Sequence, residues 1–221
     1  MIHTSVDCVI FGFQESDLKV LLITRKETPD QGMMALPGDF LAPDTDIDQS
    51  ANNTLEAITG LTDIYLEQIG AFGAVDRYPL RRVITIGYYA LINTEHYKPK
   101  AGYTAESLDW VSIDDLPNLA FDHKTIIKAG YEILKRKIRY EPIGFNLLPE
   151  KFSLTELQQL YEAILGHSLN KRNFRTKLNQ MKLLVDTGEK QIGVAHKPAK
   201  LYKFDSTVYE KLSQEGFFFK L

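Results

Sequence analysis

The sequence predicts an α+β chain in two parts: a mixed-sheet α/β/α sandwich, then a C-terminal winged helix-turn-helix domain. Three observations predict it. Strand-like apolar runs surround one short amphipathic helix through roughly the first half of the chain. The apolar period changes to that of a long helix just after Asp122. Beyond Pro149 the order is helix, short turn, basic helix, then two strands.

Each element follows from its residues. Residues 6–13, V-D-C-V-I-F-G-F, are apolar and rich in β-branched side chains, and residues 18–25 repeat the theme after the polar turn 14–17, which predicts a hairpin feeding the core. A short amphipathic helix ends at Gly60. Residues 65–74 read as a mixed strand, and 83–92, V-I-T-I-G-Y-Y-A-L-I, as a long buried one. Residues 108–113 form a further strand, followed by a helical turn over 114–119 stopped at Pro117. In 125–139, apolar residues at 126, 127, 131, 133, 134 and 138 make one helical face with Gly130 in it and a basic back. Pro142, Gly144 and Pro149 mark 141–150 as a linker, so residues 1–140 form one domain and 151–221 the other.

In the second domain Ser153 and Glu156 spell a capping box. Leu154, Leu157, Leu160, Tyr161 and Ile164 form the buried stripe of a helix that Gly166 closes. Asn170 is placed to cap a second helix, N-K-R-N-F-R-T-K-L-N-Q-M-K, with Phe174, Leu178 and Met181 inward. Residues 183–190 and 199–205 read as strands joined by a basic tip.

Composition bounds the function classes. With 221 residues, 44% hydrophobic and 25% charged, the chain fits an ordinary globular protein of one large or two modest domains. No apolar run approaches a membrane span, and the N-terminus M-I-H-T-S-V-D has no basic, apolar leader, so a cytoplasmic protein without a membrane partner is expected. The single cysteine, Cys8, lies in an apolar run without a His/Asp frame, which fits a reduced, buried thiol better than a nucleophile. The net charge of -3 conceals an asymmetry: residues 1–122 carry 8 Lys+Arg against 19 Asp+Glu, and residues 123–221 carry 18 against 10. An acidic part joined to a basic part suggests a sensor joined to a nucleic-acid-facing module.

A basic helix alone is usually a solvated face. Here the cations coincide with the second helix of a helix-turn-helix pair and with the adjoining wing. Lys171, Arg172, Asn173 and Arg175 are placed to reach base edges, where arginine suits guanine and asparagine suits adenine. Lys177 and the wing residues Lys190, His196, Lys197 and Lys200 suit phosphates, which fix register without reading sequence. Double-stranded DNA is the expected partner. A wing that docks another protein is the competing reading.

Residues 36–61, L-P-G-D-F-L-A-P-D-T-D-I-D-Q-S-A-N-N-T-L-E-A-I-T-G-L, resemble the Nudix box, G-x5-E-x7-R-E-U-x-E-E-x-G-U with U aliphatic. With Gly60 as the exit glycine, Asp39 falls at the first glycine and Thr45 at the first glutamate. The Arg-Glu pair becomes Asn53 and Thr54, the Glu-Glu pair becomes Ala57 and Ile58, and Leu55 and Leu61 keep the apolar positions. The frame remains while its carboxylates are gone. Magnesium needs a cluster of oxygen ligands to bridge protein and substrate phosphates, and Glu56 is the only acid left in the helix body. Asp44, Asp46 and Asp48 sit in the loop and first turn, where acids suit a helix N-terminus. No catalytic residues, no metal and no cofactor are expected; a working Nudix hydrolase of ADP-ribose or a related diphosphate is the alternative.

Taken together, the degenerate box, E-P-I-G-F-N-L-L-P and a winged helix containing K-R-N-F-R resemble the Nudix-related bacterial transcriptional regulators over nearly the whole chain. The resemblance implies the Nudix fold over roughly residues 5–140, a homodimer on an operator with two half-sites, and release by a small effector. Branches of the family respond to ADP-ribose and others to L-arabinose, the second being the nearer by resemblance. Two loops suit an effector pocket. Asp76, Arg77 and Tyr78 lie in V-D-R-Y-P-L-R-R, and Asp122 and His123 in L-A-F-D-H-K. Arg25 is a further candidate, because by resemblance the cleft lies nearby, with an aromatic face from Phe72, Tyr78 or Phe121. The bland alternatives are a salt-bridged surface turn at Asp76/Arg77 and a helix cap at Asp122. His123 has no partner at metal-ligand spacing.

Overall fold

The structure is a computed structural model that describes residues 2–193, 197–217 and 219–220. Two compact units divide the chain: Met1–Gln14 with Leu18–Ile133, and Glu15–Asp17 with Leu134–Leu221.

The first unit is built on a mixed sheet. Strands β1 (His3–Gln14) and β2 (Asp17–Arg25) form the expected hairpin. β6 (Val83–Ile92) lies parallel to β1 along ten residues, from His3↔Val83 to Gly12↔Ile92, and β5 (Glu67–Phe72) closes that edge antiparallel to β6. β7 (Ala105–Ser112) pairs with β2, and two short strands, β3 (Met34–Ala35) and β4 (Gly38–Phe40), pair with β2 and β1.

Strand alternation sorts β1 between two helices. Val6, Cys8 and Ile10 join Tyr88, Ala90 and Ile92 of β6 in a core with Ala51 and Leu55 of helix α1 (Ile47–Thr59). On the other face, Phe11 and Gly87 lie beneath helix α2 (His123–Tyr140), where Gly130 and Ile126 come close. The result is the expected α/β/α sandwich. Cys8 is fully buried and burial pushes its thiol pKa up, so it stays a protonated, inert core residue. Gly60 ends α1 in the left-handed conformation, φ 68°, as its place at the box exit required.

The second unit is the winged helix. Ser153 and Glu156 exchange the two bonds of the capping box, 3.2 Å and 2.6 Å, at the start of α3 (Leu154–Leu165). Gly166 turns the chain at φ 72°. The turn is then tied down by Glu162, whose carboxylate accepts from Leu169 N at 2.7 Å and from Gln158 Nε2 at 2.9 Å. Asn170 caps α4 (Lys171–Met181) by accepting from Asn173 N. β9 (Leu184–Lys190) and β10 (Lys200–Phe204) form the wing, and β8 (Phe152–Ser153) adds a third strand beside β10. A final helix, α5 (Ser206–Gln214), follows.

The structure departs from the expected elements in three places. Residues 113–115 form a bend and turn, and 116–118 no regular element, in place of the expected helical turn. Residues 141–150 are not an open linker: Pro142–Leu147 is a 3-10 helix, and Phe145 stacks on Phe204 at 4.3 Å while touching Phe152 and Phe219. Burying Phe145, Leu147 and Leu148 outweighs the breaking tendency of the two prolines. By compactness the division between units falls inside α2, after Ile133. The short strands β3, β4 and β8 carry too few residues for a periodic signal.

Candidate functional site

A cleft opens in the first unit at the N-terminal end of α2. Its walls include Asp7, Arg25, Gly38, Phe40, Arg77, Tyr78, Phe121 and His123, and its enclosed volume is about 150 Å³.

The floor is a buried polar network centred on Asp7. In β1 this residue sits on the α2 side of the sheet, where an isolated charge would be costly. Thr85 Oγ1 donates to Asp7 Oδ2 at 2.7 Å, and Arg77 Nη2 lies 3.4 Å from the same oxygen. Arg77 also donates through Nε and Nη2 to Asp122, at 3.1 Å and 2.7 Å. The Arg77 side chain is only 3% exposed, so its charge is satisfied within the chain. His123 Nδ1 accepts from Leu36 N at 2.9 Å, which leaves the proton on Nε2, 3.4 Å from Asp7 Oδ1. Desolvation lowers the His123 pKa, with Asp7 opposing and Arg77 adding to the shift, so the ring is held neutral.

Gly38 fits against this network because it lacks a side chain. A Cβ there would lie 2.0 Å from Asp7 Oδ1 and 2.7 Å from the Val6 carbonyl oxygen. Aromatic rings line the wall above: Tyr78 meets Phe121 at 5.1 Å and Phe40 at 5.9 Å. The Arg25 guanidinium lies 4.9 Å over the Phe121 ring, and Arg81 lies 5.7 Å over Phe40. Arg25 Nε also donates to the Pro29 carbonyl at 3.1 Å.

The six expected pocket residues therefore divide. Arg25, Arg77, Tyr78 and His123 line the cleft. Asp122 is gathered in by Arg77, so the two loops that the sequence presents separately meet in one buried ion pair. The surface-turn alternative for Arg77 fails, and Asp122 gives its carboxylate to Arg77 while only its backbone carbonyl accepts the first helical N–H groups. Asp76 is exposed and lies outside the cleft lining, bordering a shallower hollow with Arg77, Phe121 and Asp122. Phe72 packs near Gly87 instead of lining the cleft. Asp7, Gly38 and Phe40 were missed, although a lone aspartate inside an apolar strand is itself a signal that something must pair with it.

Helix α1 carries no cluster of acids. Ala57 is exposed, and Ile58 is buried with Ile23, Ala35 and Ala120. Asp48 accepts from the Tyr88 hydroxyl and, at 3.1 Å, from Gln68 Nε2, which lowers its pKa. The Tyr88 hydroxyl is in turn pushed up to about 12, chiefly by burial. Asp46 is the N-cap residue but makes no side-chain capping bond. Among the described residues, no three His, Cys, Asp or Glu side chains gather as a metal-binding group. No helix among them is long and apolar enough to cross a membrane.

In the second unit, Phe174 and Leu178 turn α4 inward, so Arg172, Asn173, Thr176, Asn179 and Gln180 project into solvent. Lys171 and Lys177 are exposed on the flanks. Arg175 is half-buried, and its buried Nε has no hydrogen-bond partner among the described residues. Lys190 and Lys197 are exposed at the wing, whereas Lys200 pairs with Asp186 at 2.7 Å. His196 lies outside the described residues. Thr176, Asn179 and Gln180 on this face are uncharged, so charge patterning does not mark them, yet they carry donors and acceptors.

Comparison with known proteins places these two units. Residues 1–130 match the NUDIX domain, and residues 144–204 match the NrtR DNA-binding winged helix domain. The chain is 35% identical to the ADPR responsive transcriptional repressor NtrR of Acinetobacter baylyi, over 93% of this chain and 83% of the relative. It is 33% identical to an ADP-ribose pyrophosphatase of Methanocaldococcus jannaschii over 58% of this chain and 73% of that protein. The Shewanella oneidensis NrtR crystal structure in complex with a 27mer DNA superposes with a TM-score of 0.75 at 29% identity, covering 94% of this chain and 95% of the other. The chain thus belongs to the Nudix-related transcriptional regulators, in which a NUDIX domain precedes an NrtR-type DNA-binding winged helix.

Proposed function

We propose that this chain is a repressor that senses ADP-ribose in the first-unit cleft and binds operator DNA through α4 and the wing. The observation that carries the reading is the pairing, in one chain, of a cleft floored by fixed charges with a winged helix whose α4 face is exposed and basic. Both named relatives act on or respond to ADP-ribose and neither is named for L-arabinose, so the nucleotide is favoured over the free pentose. The cleft chemistry supports the same choice. Arg25 can meet a diphosphate, and Phe40, Tyr78 and Phe121 offer faces to a base or ribose. Arg77, Asp122 and His123 then shape the floor rather than supply free charge, and Asp76 serves no ligand role.

We further propose that the domain does not hydrolyse what it binds. The frame positions that would hold magnesium are Ala57 and Ile58, and Asp48 is engaged by Tyr88 and Gln68. Metal-assisted hydrolysis needs carboxylates converging on the ion and its water. A homodimer on two half-sites completes the reading, since dimeric helix-turn-helix proteins bind half-sites one helical turn, or a multiple of it, apart.

The test is DNase footprinting on the chain's own promoter region with and without ADP-ribose, beside an incubation of ADP-ribose with the protein and magnesium. A protected region that is lost at rising ADP-ribose, with no AMP formed, is the expected result. Turnover to AMP without any protected DNA would instead make the chain a hydrolase.

A further inference from the structure

We infer that the DNA-contacting surface extends past α4 onto the last turn of α2 and the interhelical turn, where Arg139, His167 and Lys177 form a seat for the sugar-phosphate backbone of the duplex. The inference rests on the DNA-binding reading above and deepens it.

A groove in the second unit is bounded by Arg139, His167, Asn170, Asn173 and Lys177, with Tyr161 and Phe174 among the residues of its floor. Its position follows from the helical geometry. Asn170, Asn173, Phe174 and Lys177 lie at spacings of three and four, so they form one flank of α4, next to the outward face that carries Arg172 and Thr176. The rim holds two full cations and a histidine, and no carboxylate residue lines it. Arg139, His167 and Lys177 are all exposed, and Arg139 and Lys177 have no ion-pair partner among the described residues. By contrast the wing cation Lys200, and Lys151 and Lys203 near it, are each paired with an acid.

Two polar groups of this groove keep an unused bonding position. His167 Nδ1 lies 3.2 Å from the Ser168 carbonyl and donates to it, which leaves Nε2 turned to other partners. The Tyr161 hydroxyl is buried with no hydrogen-bond partner among the described residues. The start of α4 adds amide N–H groups and the positive end of its dipole. Unpaired cations beside a helix start and the reading face of the same helix suit a repeating polyanion. The backbone of the duplex that α4 reads is the occupant with that charge and that place. Arg139 lies outside residues 144–204, the stretch that matches the winged helix domain, so the domain match alone would not assign it.

Three full-length variants test this: Arg139→Gln, Lys177→Gln and, as a charge-matched control on the exposed side of α2, Lys128→Gln. Binding to the operator and to a random duplex is measured across a salt series. Arg139→Gln and Lys177→Gln are expected to weaken both duplexes by the same factor and each to reduce the log–log salt slope by about 0.9, as one lost phosphate contact does. Lys128→Gln should match the parent. Two outcomes overturn the inference: an unchanged slope in both groove variants, or a groove that binds inorganic phosphate or ADP-ribose and loses that binding in Arg139→Gln with the DNA slope intact. A parent protein that binds no duplex at all would instead defeat the DNA-binding reading itself.

Discussion

Arg77 grips Asp122 with two nitrogens while its Nη2 lies 3.4 Å from Asp7, so one guanidinium joins the loop before β6, the start of α2 and strand β1. The Arg77 side chain is 3% exposed and that of Asp7 8%. Removing one partner of a buried pair leaves the other charge uncompensated, which costs about 3–5 kcal/mol. Arg77→Met should therefore destabilise the first unit by roughly that amount. The only tryptophan, Trp110, lies in β7 of this unit, so urea unfolding followed by its fluorescence reports this unit alone. Arg77→Met combined with Asp122→Leu should recover part of the loss. A single variant with unchanged stability would mean that the pair is dispensable.

Gly38 predicts a similar sensitivity from shape alone. An alanine Cβ would come within 2.0 Å of Asp7 Oδ1, and backbone at Val6 O blocks the other side. Either Asp7 or β4 must move. Gly38→Ala should cost roughly 1–3 kcal/mol of stability, as overpacked sites do, and weaken ADP-ribose binding more than any exposed variant. Calorimetric titration beside the same urea unfolding separates the two effects.

The pH dependence of this unit should follow His123. Its pKa in the folded protein is lowered, mainly by burial, and Nδ1 is committed to accepting from Leu36 N. Below its ordinary value of 6.5 the unfolded chain binds a proton that the folded chain refuses, so stability rises with pH there. The contribution is present above about pH 6.5 and is lost as the pH falls toward the folded pKa. His123→Asn, whose side-chain oxygen can accept from Leu36 N in place of Nδ1, should flatten this acid limb. An unchanged limb in the variant would assign the dependence to other groups.

How much of this was legible in the sequence depends on the range of the interaction. The β1–β2 hairpin, the capping box at Ser153 and the Gly60 and Gly166 helix ends are local, so their residues alone specify them. The Arg77–Asp122 pair joins residues far apart in the chain, and single-sequence pattern carries no information on which loops meet. Residues 141–150 show the opposite failure: the local proline and glycine signal is real, yet burial of Phe145 against Phe204 overrides it. On α4, the cations were visible but the helix phase sets which of them face outward. That phase turns Arg175 partly inward and brings Thr176 and Asn179 out.

The phase yields the last prediction. Arg172 projects from the exposed face of α4 beside Thr176 and Asn179, whereas Arg175 is half-buried with its Nε unpaired. A bidentate arginine on a base edge gives about 1–3 kcal/mol of discrimination, which is roughly a five- to 150-fold change in affinity. Arg172→Ala should lower operator affinity by such a factor and random-duplex affinity by much less. Arg175→Ala should instead lower the unfolding temperature seen by circular dichroism, with the ratio of operator to random binding kept. Thr176→Ala, at the centre of the exposed face, should change the preferred base at one operator position without altering the salt slope, because no charge is removed. Selection from a randomised duplex library reads that shift directly. Equal losses on operator and random DNA in Arg172→Ala would move this arginine from the bases to the backbone.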